Sequence, residues 1–359
     1  MAELGRILLV DDSRVFLSVL RTALSEIPGI EVIGSAPDGE TAVNLFRTLK
    51  PNLVTLDVEM PGMGGMAALE VMHQQNLTRP KHEQTGIIMV SSLTGWGAST
   101  TVRALQAGAF DFITKPNFPN PEENIRQLRQ QLQTKIRLFL LQRAPGNSPT
   151  TVAPPKPLPS IPPRAIEIVV VAASTGGPRA LEQFLPEFSR RCRQPIFIVQ
   201  HLPASFTASL AENLNRICAR PVMEATNGTP VDPQGIYIAP GGFHLLLRRE
   251  GTQLVTVLNQ HPPENLCRPA ADVLFRSAAS VCDGRVLAIV LTGMGNDGTR
   301  GASTIKRAGG VILVQDEASS IVWGMPGSIA SAGGADAVVP IGEMATFAGR
   351  LLTDSEGFR

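Results

Sequence analysis

The chain has 359 residues, 43% hydrophobic and 18% charged, enough for about two or three globular domains at ~100 to 200 residues each. A formal net charge of +1 offers no broad basic face for nucleic acid and no acidic tail. Its 4 cysteines, Cys192, Cys218, Cys267 and Cys282, include no C-x-x-C pair, so a disulfide framework or zinc ribbon is not indicated and a reducing cytosol fits. The N-terminus lacks a signal-peptide apolar region, and no apolar run approaches the ~20 residues of a membrane span, so membrane insertion is not expected.

From the N-terminus, short β-branched runs alternate with helical patterns: RILLVDD, EVIGSA, LVTLDVEM, GIIMVSS and FDFITKP. Five strands separated by helix-length intervals predict a doubly wound parallel sheet. A closing helix is expected from near Pro121, with Ile125, Leu128, Leu132, Ile136 and Phe139 spaced to bury one face. In an open parallel sheet, groups outside the carboxyl ends of the strands converge on one crevice. Those ends carry Asp11-Asp12, Asp57, Ser91 and Lys115, a phosphoryl-transfer site in outline. Three carboxylates can hold a hard divalent cation such as Mg2+, one of them can take a phosphoryl group, and the lysine and hydroxyl can meet its oxygens. Singly each residue reads as a cap or a solvated charge; together at four strand ends they read as one site.

These residues, with LDVEMPGM and FDFITKP, resemble the receiver domain of two-component response regulators over roughly residues 4 to 140. The resemblance implies that Asp57 is the phosphoacceptor, that Asp11, Asp12 and Asp57 hold Mg2+, that Ser91 and Phe112 form a switch pair, and that a histidine kinase is the donor. The loop Met60-Pro61-Gly62-Met63-Gly64-Gly65 departs from the family pattern, which puts its rigidity in question.

Between Ala144 and Ala165 eight of 22 residues are proline, which reads as an interdomain linker in preference to a polyproline ligand. The expected division is a receiver over 1–143, a linker over 144–165 and a second α/β domain over 166–359.

The second half repeats the alternation with IEIVVVAAS, PIFIVQH, PVMEATN, GIYIAP, VLAIVLTG, GVILVQD and ADAVVP, predicting a doubly wound, mostly parallel sheet. HLLLRREGTQLVTVLN adds an antiparallel hairpin around Glu250-Gly251. The loop LTGMGNDG has two incompatible readings. Gly293-x-Gly295-x-x-Gly298 between a strand and a helix, with Asp316 downstream, matches a dinucleotide fingerprint. Its Asp297 could instead orient a catalytic histidine. Ser174 at one strand end and His201 at the next supply a hydroxyl and an imidazole, completing the set needed for an activated serine. Alone, Ser174 is more often a helix cap and His201 a structural residue.

AASTGGP, QHLP, YIAPGGFHL, RPAADVLF, LTGMGNDGTRGA and WGMP, in this order behind a receiver and a linker, resemble the protein-glutamate methylesterases of bacterial chemotaxis over nearly the whole chain. The resemblance implies Ser174 as nucleophile, His201 as general base, Asp297 as its orienting acid and a backbone N–H near Met294 in the oxyanion hole. It further implies hydrolysis of glutamate γ-methyl esters on chemoreceptor helices, deamidation of receptor glutamines, and no cofactor for the hydrolysis. Cys267 and Trp323 stand where many relatives have histidine and tyrosine, a difference expected to bear on docking. Two rival classes remain, a nicotinamide-dependent enzyme and a phosphorylation-controlled binding module without hydrolysis.

Overall fold

The computed structural model describes residues 5–80, 83–92, 95–143 and 165–353. The chain divides into two compact units, Met1–Thr151 and Val152–Arg359. The proline-rich stretch lies, apart from Ala165, outside the described residues.

The first unit alternates β1 (Gly5–Val10), α1 (Arg14–Ser25), β2 (Ile30–Ala36), α2 (Gly39–Leu49), β3 (Leu53–Asp57), α3 (Gly65–Leu77), β4 (Gly86–Ser91), α4 (Gly95–Gln106), β5 (Asp111–Thr114) and α5 (Pro121–Arg143). The strands are all parallel, in the order β2-β1-β3-β4-β5. Continuous apolar runs suit strands covered on both faces, and Ile7, Leu8, Leu9, Val10, Ile88, Met89 and Val90 are wholly buried. On α5 the apolar stripe seals one side: Leu128, Leu132 and Ile136 are buried, and Phe139 meets Phe110 edge-on. The chain leaves β1 for β2 on one side and returns to β3 on the other. That switch point brings Asp11-Asp12 beside Asp57.

In the second unit the elements are β6 (Ile168–Ala173), α6 (Gly177–Arg191), β7 (Ile196–Gln200), α7 (Ala204–Ile217), β8 (Val222–Glu224), β9 (Thr229–Pro230), β10 (Ile236–Ile238), β11 (His244–Glu250) and β12 (Gln253–Asn259). They continue with α8 (Ala271–Val281), β13 (Val286–Val290), α9 (Thr299–Arg307), β14 (Val311–Gln315), α10 (Met325–Ser331), β15 (Ala337–Val339) and α11 (Ile341–Thr353). Seven strands pair in parallel in the order β15-β14-β13-β6-β7-β10-β8. The hairpin β11–β12 stands apart from this sheet and pairs with β9, a two-residue strand too short to announce itself in the sequence. Its inward residues Leu245 and Leu247 share a core with Leu274, Phe275 and Ala278 of α8. Here the switch point lies between β6 and β13, so the residues after both strands face each other.

Arg220, only 7% exposed, staples one end of this sheet. Its guanidinium donates to the carbonyls of Cys192 (2.6 Å), Gln194 (2.9 Å), Pro233 (2.9 Å) and Gln234 (2.9 Å), joining the end of α6 to the approaches of β7 and β10.

Candidate active site and receiver site

Register delivers three residues to the carboxyl edge of the larger sheet. Ser174 follows β6, and its N–H donates to Thr292 O (3.0 Å) beyond β13. On the other side, the His201 N–H donates to Ala173 O (3.1 Å). The Ser174 carbonyl accepts from Gly177 N–H (2.7 Å) and Gln200 Nε2 (2.9 Å), which fixes the corner between β6 and α6. Gly293 lies against the serine: a Cβ there would fall 2.9 Å from Ser174 Cβ and 2.5 Å from Met325 Sδ. The glycine is therefore required for close approach of two loops, a use the dinucleotide fingerprint does not predict.

The His201 side chain is 12% exposed, with Nε2 at 2.8 Å from Asp297 Oδ2. An ionised carboxylate only accepts hydrogen bonds, so in the neutral ring Nε2 carries the hydrogen and Nδ1 keeps the lone pair. Nδ1 lies 3.6 Å from Cys267 Sγ. Asp297 is buried and fully bonded. It accepts the N–H groups of Ala271 (2.6 Å), Asp272 (3.1 Å) and Gly298 (3.0 Å), and Asn265 Nδ2 (2.8 Å). It thus caps the first turn of α8, where the residue in the cap position, Ala270, has no side-chain acceptor. Burial disfavours its charge, but the His201 hydrogen bond and the helix N–H groups outweigh burial and hold its carboxyl below the usual range. For His201, burial disfavours the cation; hydrogen bonds to Asp297 and Cys267 prevail and push the imidazole up to about 9.

Among the described residues no hydrogen bond joins Ser174 Oγ to the imidazole. Such contacts often tighten only when substrate binds. Met294 is half-buried and follows Gly293, whose carbonyl accepts the N–H groups of Gly324 (3.0 Å) and Met325 (2.8 Å). The Met294 N–H has no partner among the described residues. Trp323 is tied to β14, its indole N–H donating to Gln315 O (3.1 Å). Asp316 accepts Ser319 N–H (3.2 Å) and the Ser319 hydroxyl, closing its own turn after β14.

Two participants carry little or no signal in the sequence. Asn265 Nδ2 reaches both Asp297 and Asp272 Oδ2 (2.9 Å), and Asp272 Oδ1 in turn accepts Gly301 N–H (2.6 Å). Asp272 has a weak signal, an acid in the first turn of a helix; Asn265 has none.

In the first unit, carboxylate oxygens of Asp11, Asp12 and Asp57 lie within 4.8 Å of one another. Lys115 Nζ sits 2.8 Å from Asp11 and 2.9 Å from Asp57. One ammonium against three carboxylates leaves net negative charge on an all-oxygen donor set, which fits a hard divalent cation. Burial above all, with Asp11 adding repulsion, pushes Asp57 to about 6 despite the Lys115 contact. Ser91 Oγ bonds the carbonyls of Ser92 (3.1 Å) and Gly97 (3.2 Å), so it is turned toward α4. Phe112 packs under Lys135, whose ammonium is 5.7 Å from the ring centre. The glycine-rich loop after β3 is pinned: Gly39 N–H donates to Met63 O (3.1 Å), and a Cβ on Gly65 would fall 1.9 Å from Asp57 O.

Comparison with known proteins matches two stretches of the chain to two families. Residues 7–129 match the response regulator receiver domain and residues 169–347 the CheB methylesterase. A protein-glutamate methylesterase/protein-glutamine glutaminase of Trichodesmium erythraeum is 44% identical over 347 residues, 95% of this chain and 97% of the relative. The chain belongs to the protein-glutamate methylesterase/protein-glutamine glutaminase family. A relative of the same name from Desulfotalea psychrophila is 40% identical and covers 95% of this chain and 96% of its own. The crystal structure of the Thermotoga maritima CheB methylesterase catalytic domain superposes with a TM-score of 0.51 at 38% identity, covering 52% of this chain and all of that one. The methylesterase family is a family of hydrolases, and both its receiver and its catalytic unit are present here. No helix among the described residues is long and apolar enough to cross a membrane.

Proposed function

We propose that this chain hydrolyses glutamate γ-methyl esters on the cytoplasmic helices of methylated chemoreceptors, releasing methanol, and deamidates particular receptor glutamines. The observation that carries the catalytic assignment is the His201 imidazole, held by buried Asp297 at the strand end next to Ser174. Ser174 Oγ adds to the ester carbonyl as its proton passes to His201 Nδ1, the nitrogen that Asp297 leaves free. The resulting oxyanion takes hydrogen bonds from loop N–H groups, that of Met294 among them. As the carbonyl reforms, methoxide departs with the proton from Nδ1, as methanol. Water then attacks the acyl-serine, losing a proton to Nδ1, which returns it to Ser174 Oγ as the glutamate carboxylate is freed. With a glutamine substrate the same steps release ammonia.

Residues 1–143 are the receiver, 144–165 its tether and 166–359 the catalytic domain, and the protein works in the cytoplasm. Asp57 accepts the phosphoryl group from a histidine kinase. Asp11, Asp12 and Asp57 would hold Mg2+, which when bound offsets phosphoryl charge. Lys115 meets the phosphoryl oxygens, Ser91 turns from the Ser92 and Gly97 carbonyls to bond them, and Phe112 moves with it. Phosphorylation relieves a receiver block on the catalytic edge, and the short tether keeps the receiver at high effective concentration.

The test compares methanol release from methylated receptor membranes by wild type, Ser174→Ala and Asp57→Ala with a phosphodonor. Loss of turnover in the first and loss only of stimulation in the second is expected. Methanol release by Ser174→Ala at the wild-type rate sinks the assignment.

A further inference from the structure

Residues Glu264–Cys267 form a two-residue turn closed by hydrogen bonds in both directions, Glu264 N–H to Cys267 O (3.1 Å) and Cys267 N–H to Glu264 O (2.9 Å). Asn265 (φ 53°) and Leu266 (φ 63°) both lie in the left-handed region. Asparagine and glycine tolerate this backbone, whereas leucine is strained in it. Leu266 is also 98% exposed, more than any other large hydrophobic residue among those described. Neither backbone preference nor core packing accounts for a leucine at this apex.

The mount beneath it is firm. Arg276 grips Glu264 through both guanidinium nitrogens (2.7 and 2.6 Å), Asn265 donates to Asp297, and Cys267 touches the His201 imidazole. Leu266 is therefore carried between one residue in contact with the acid and another in contact with the base. A side chain wholly in solvent forms no wall of a small cleft, so only a bulky partner can cover it. Because its two neighbours in the turn touch Asp297 and His201, such a partner would lie beside the site.

We propose that Leu266 is the contact through which the catalytic unit meets the polypeptide carrying the ester, docking on an apolar residue beside the esterified glutamate. The inference rests on the methylesterase reading above. It makes Leu266 a specificity determinant, favouring protein-borne esters over free ones, and the strain at its φ is retained for that contact.

Leu266→Asn and Leu266→Asp in the full chain test this, because asparagine fits the turn and keeps the mount while removing the apolar surface. With a phosphodonor present, kcat/KM is measured on methylated receptor membranes and on a small N-blocked glutamate γ-methyl ester. The receptor-to-small-ester ratio is expected to fall about tenfold in Leu266→Asn and further in Leu266→Asp, through KM on the receptor. An unmoved ratio in an active enzyme overturns the proposal alone. Faster small-ester turnover by Leu266→Asp without phosphodonor also overturns it, since that would make the receiver the occupant. Wild type that releases methanol from neither ester overturns the methylesterase reading and this proposal with it.

Discussion

Asn265 Nδ2 stands 2.8 Å from Asp297 Oδ1 and 2.9 Å from Asp272 Oδ2, so a single amide group separates two buried carboxylates. Burial, with Asp297 nearby, raises the Asp272 carboxyl, whereas the His201 contact lowers that of Asp297. Asn265→Ala removes the shared donor and leaves the two charges facing each other. The expected loss in kcat/KM is about tenfold, from roughly 1–3 kcal/mol of lost hydrogen bonding. The low-pH limb of the rate profile should move upward, because more negative charge beside His201 favours its cation. A limb and rate equal to wild type would deny Asn265 this positioning role.

Activity and stability of the catalytic unit should move in opposite directions between pH 6.5 and about 9. The His201 pKa is raised to about 9 in the folded state, so its contribution to stability is full below about 6.5 and lost as pH rises through 9. The Asp297 carboxyl is held low, so its contribution is present above the ordinary aspartate pKa and lost on acidification below it. Hydrolysis needs neutral His201 and should therefore rise over the window in which stability falls. Asp297→Asn should flatten both trends, which parallel pH series of thermal unfolding and esterase rate would read.

Gly293→Ala places a methyl group 2.9 Å from Ser174 Cβ and 2.5 Å from Met325 Sδ. The loop or the serine must shift. A loss of stability of about 1–3 kcal/mol is expected, with a fall in kcat of about 100-fold, since small displacements at a reacting group are costly. Near-normal turnover in purified Gly293→Ala would show that the close approach is dispensable.

Arg220→Met keeps most of the side-chain length and removes the guanidinium donors to the Cys192, Gln194, Pro233 and Gln234 carbonyls. Loss of the buried bond to Cys192 O and of three part-buried ones should cost about 1–3 kcal/mol, read as a lower urea midpoint. The residue is remote from the carboxyl edge, so kcat of the folded fraction should hold.

Asp57→Asn removes one of three clustered carboxylates in the receiver. Without Mg2+ the receiver transition should rise by a few degrees, about 2–8 °C for ~1 kcal/mol. Added Mg2+ should then raise the wild-type transition and leave that of the variant nearly unmoved. Equal Mg2+ effects in both would remove Asp57 from the metal site.

Much of this architecture is written locally. Apolar runs such as IVVVAA and VLAIV state that a strand is covered on both faces, and the polar residue that ends each run marks the carboxyl edge. This is why Ser174, His201, Asp57 and Lys115 stand out in the bare sequence. The hairpin is equally plain from its two alternating runs and Gly251. Its partner β9 is not, because a two-residue strand ending in proline carries no period to detect.

The sequence alone determined the alternation of strands and helices and the residue types brought to the strand ends, because burial imposes its period within a few residues. Only the tertiary structure decided which of these meet. His201 and Asp297 are 96 residues apart, and their pairing depends on β13 crossing back beside β6. The same crossing puts Asp297 at the start of α8 and leaves Nδ1 as the nitrogen of His201 that Asp297 does not hold. It also sets Asn265 between two carboxylates and turns the Gly293 loop onto Ser174. Those outcomes are fixed by strand order and by close packing between distant segments, which no local pattern records.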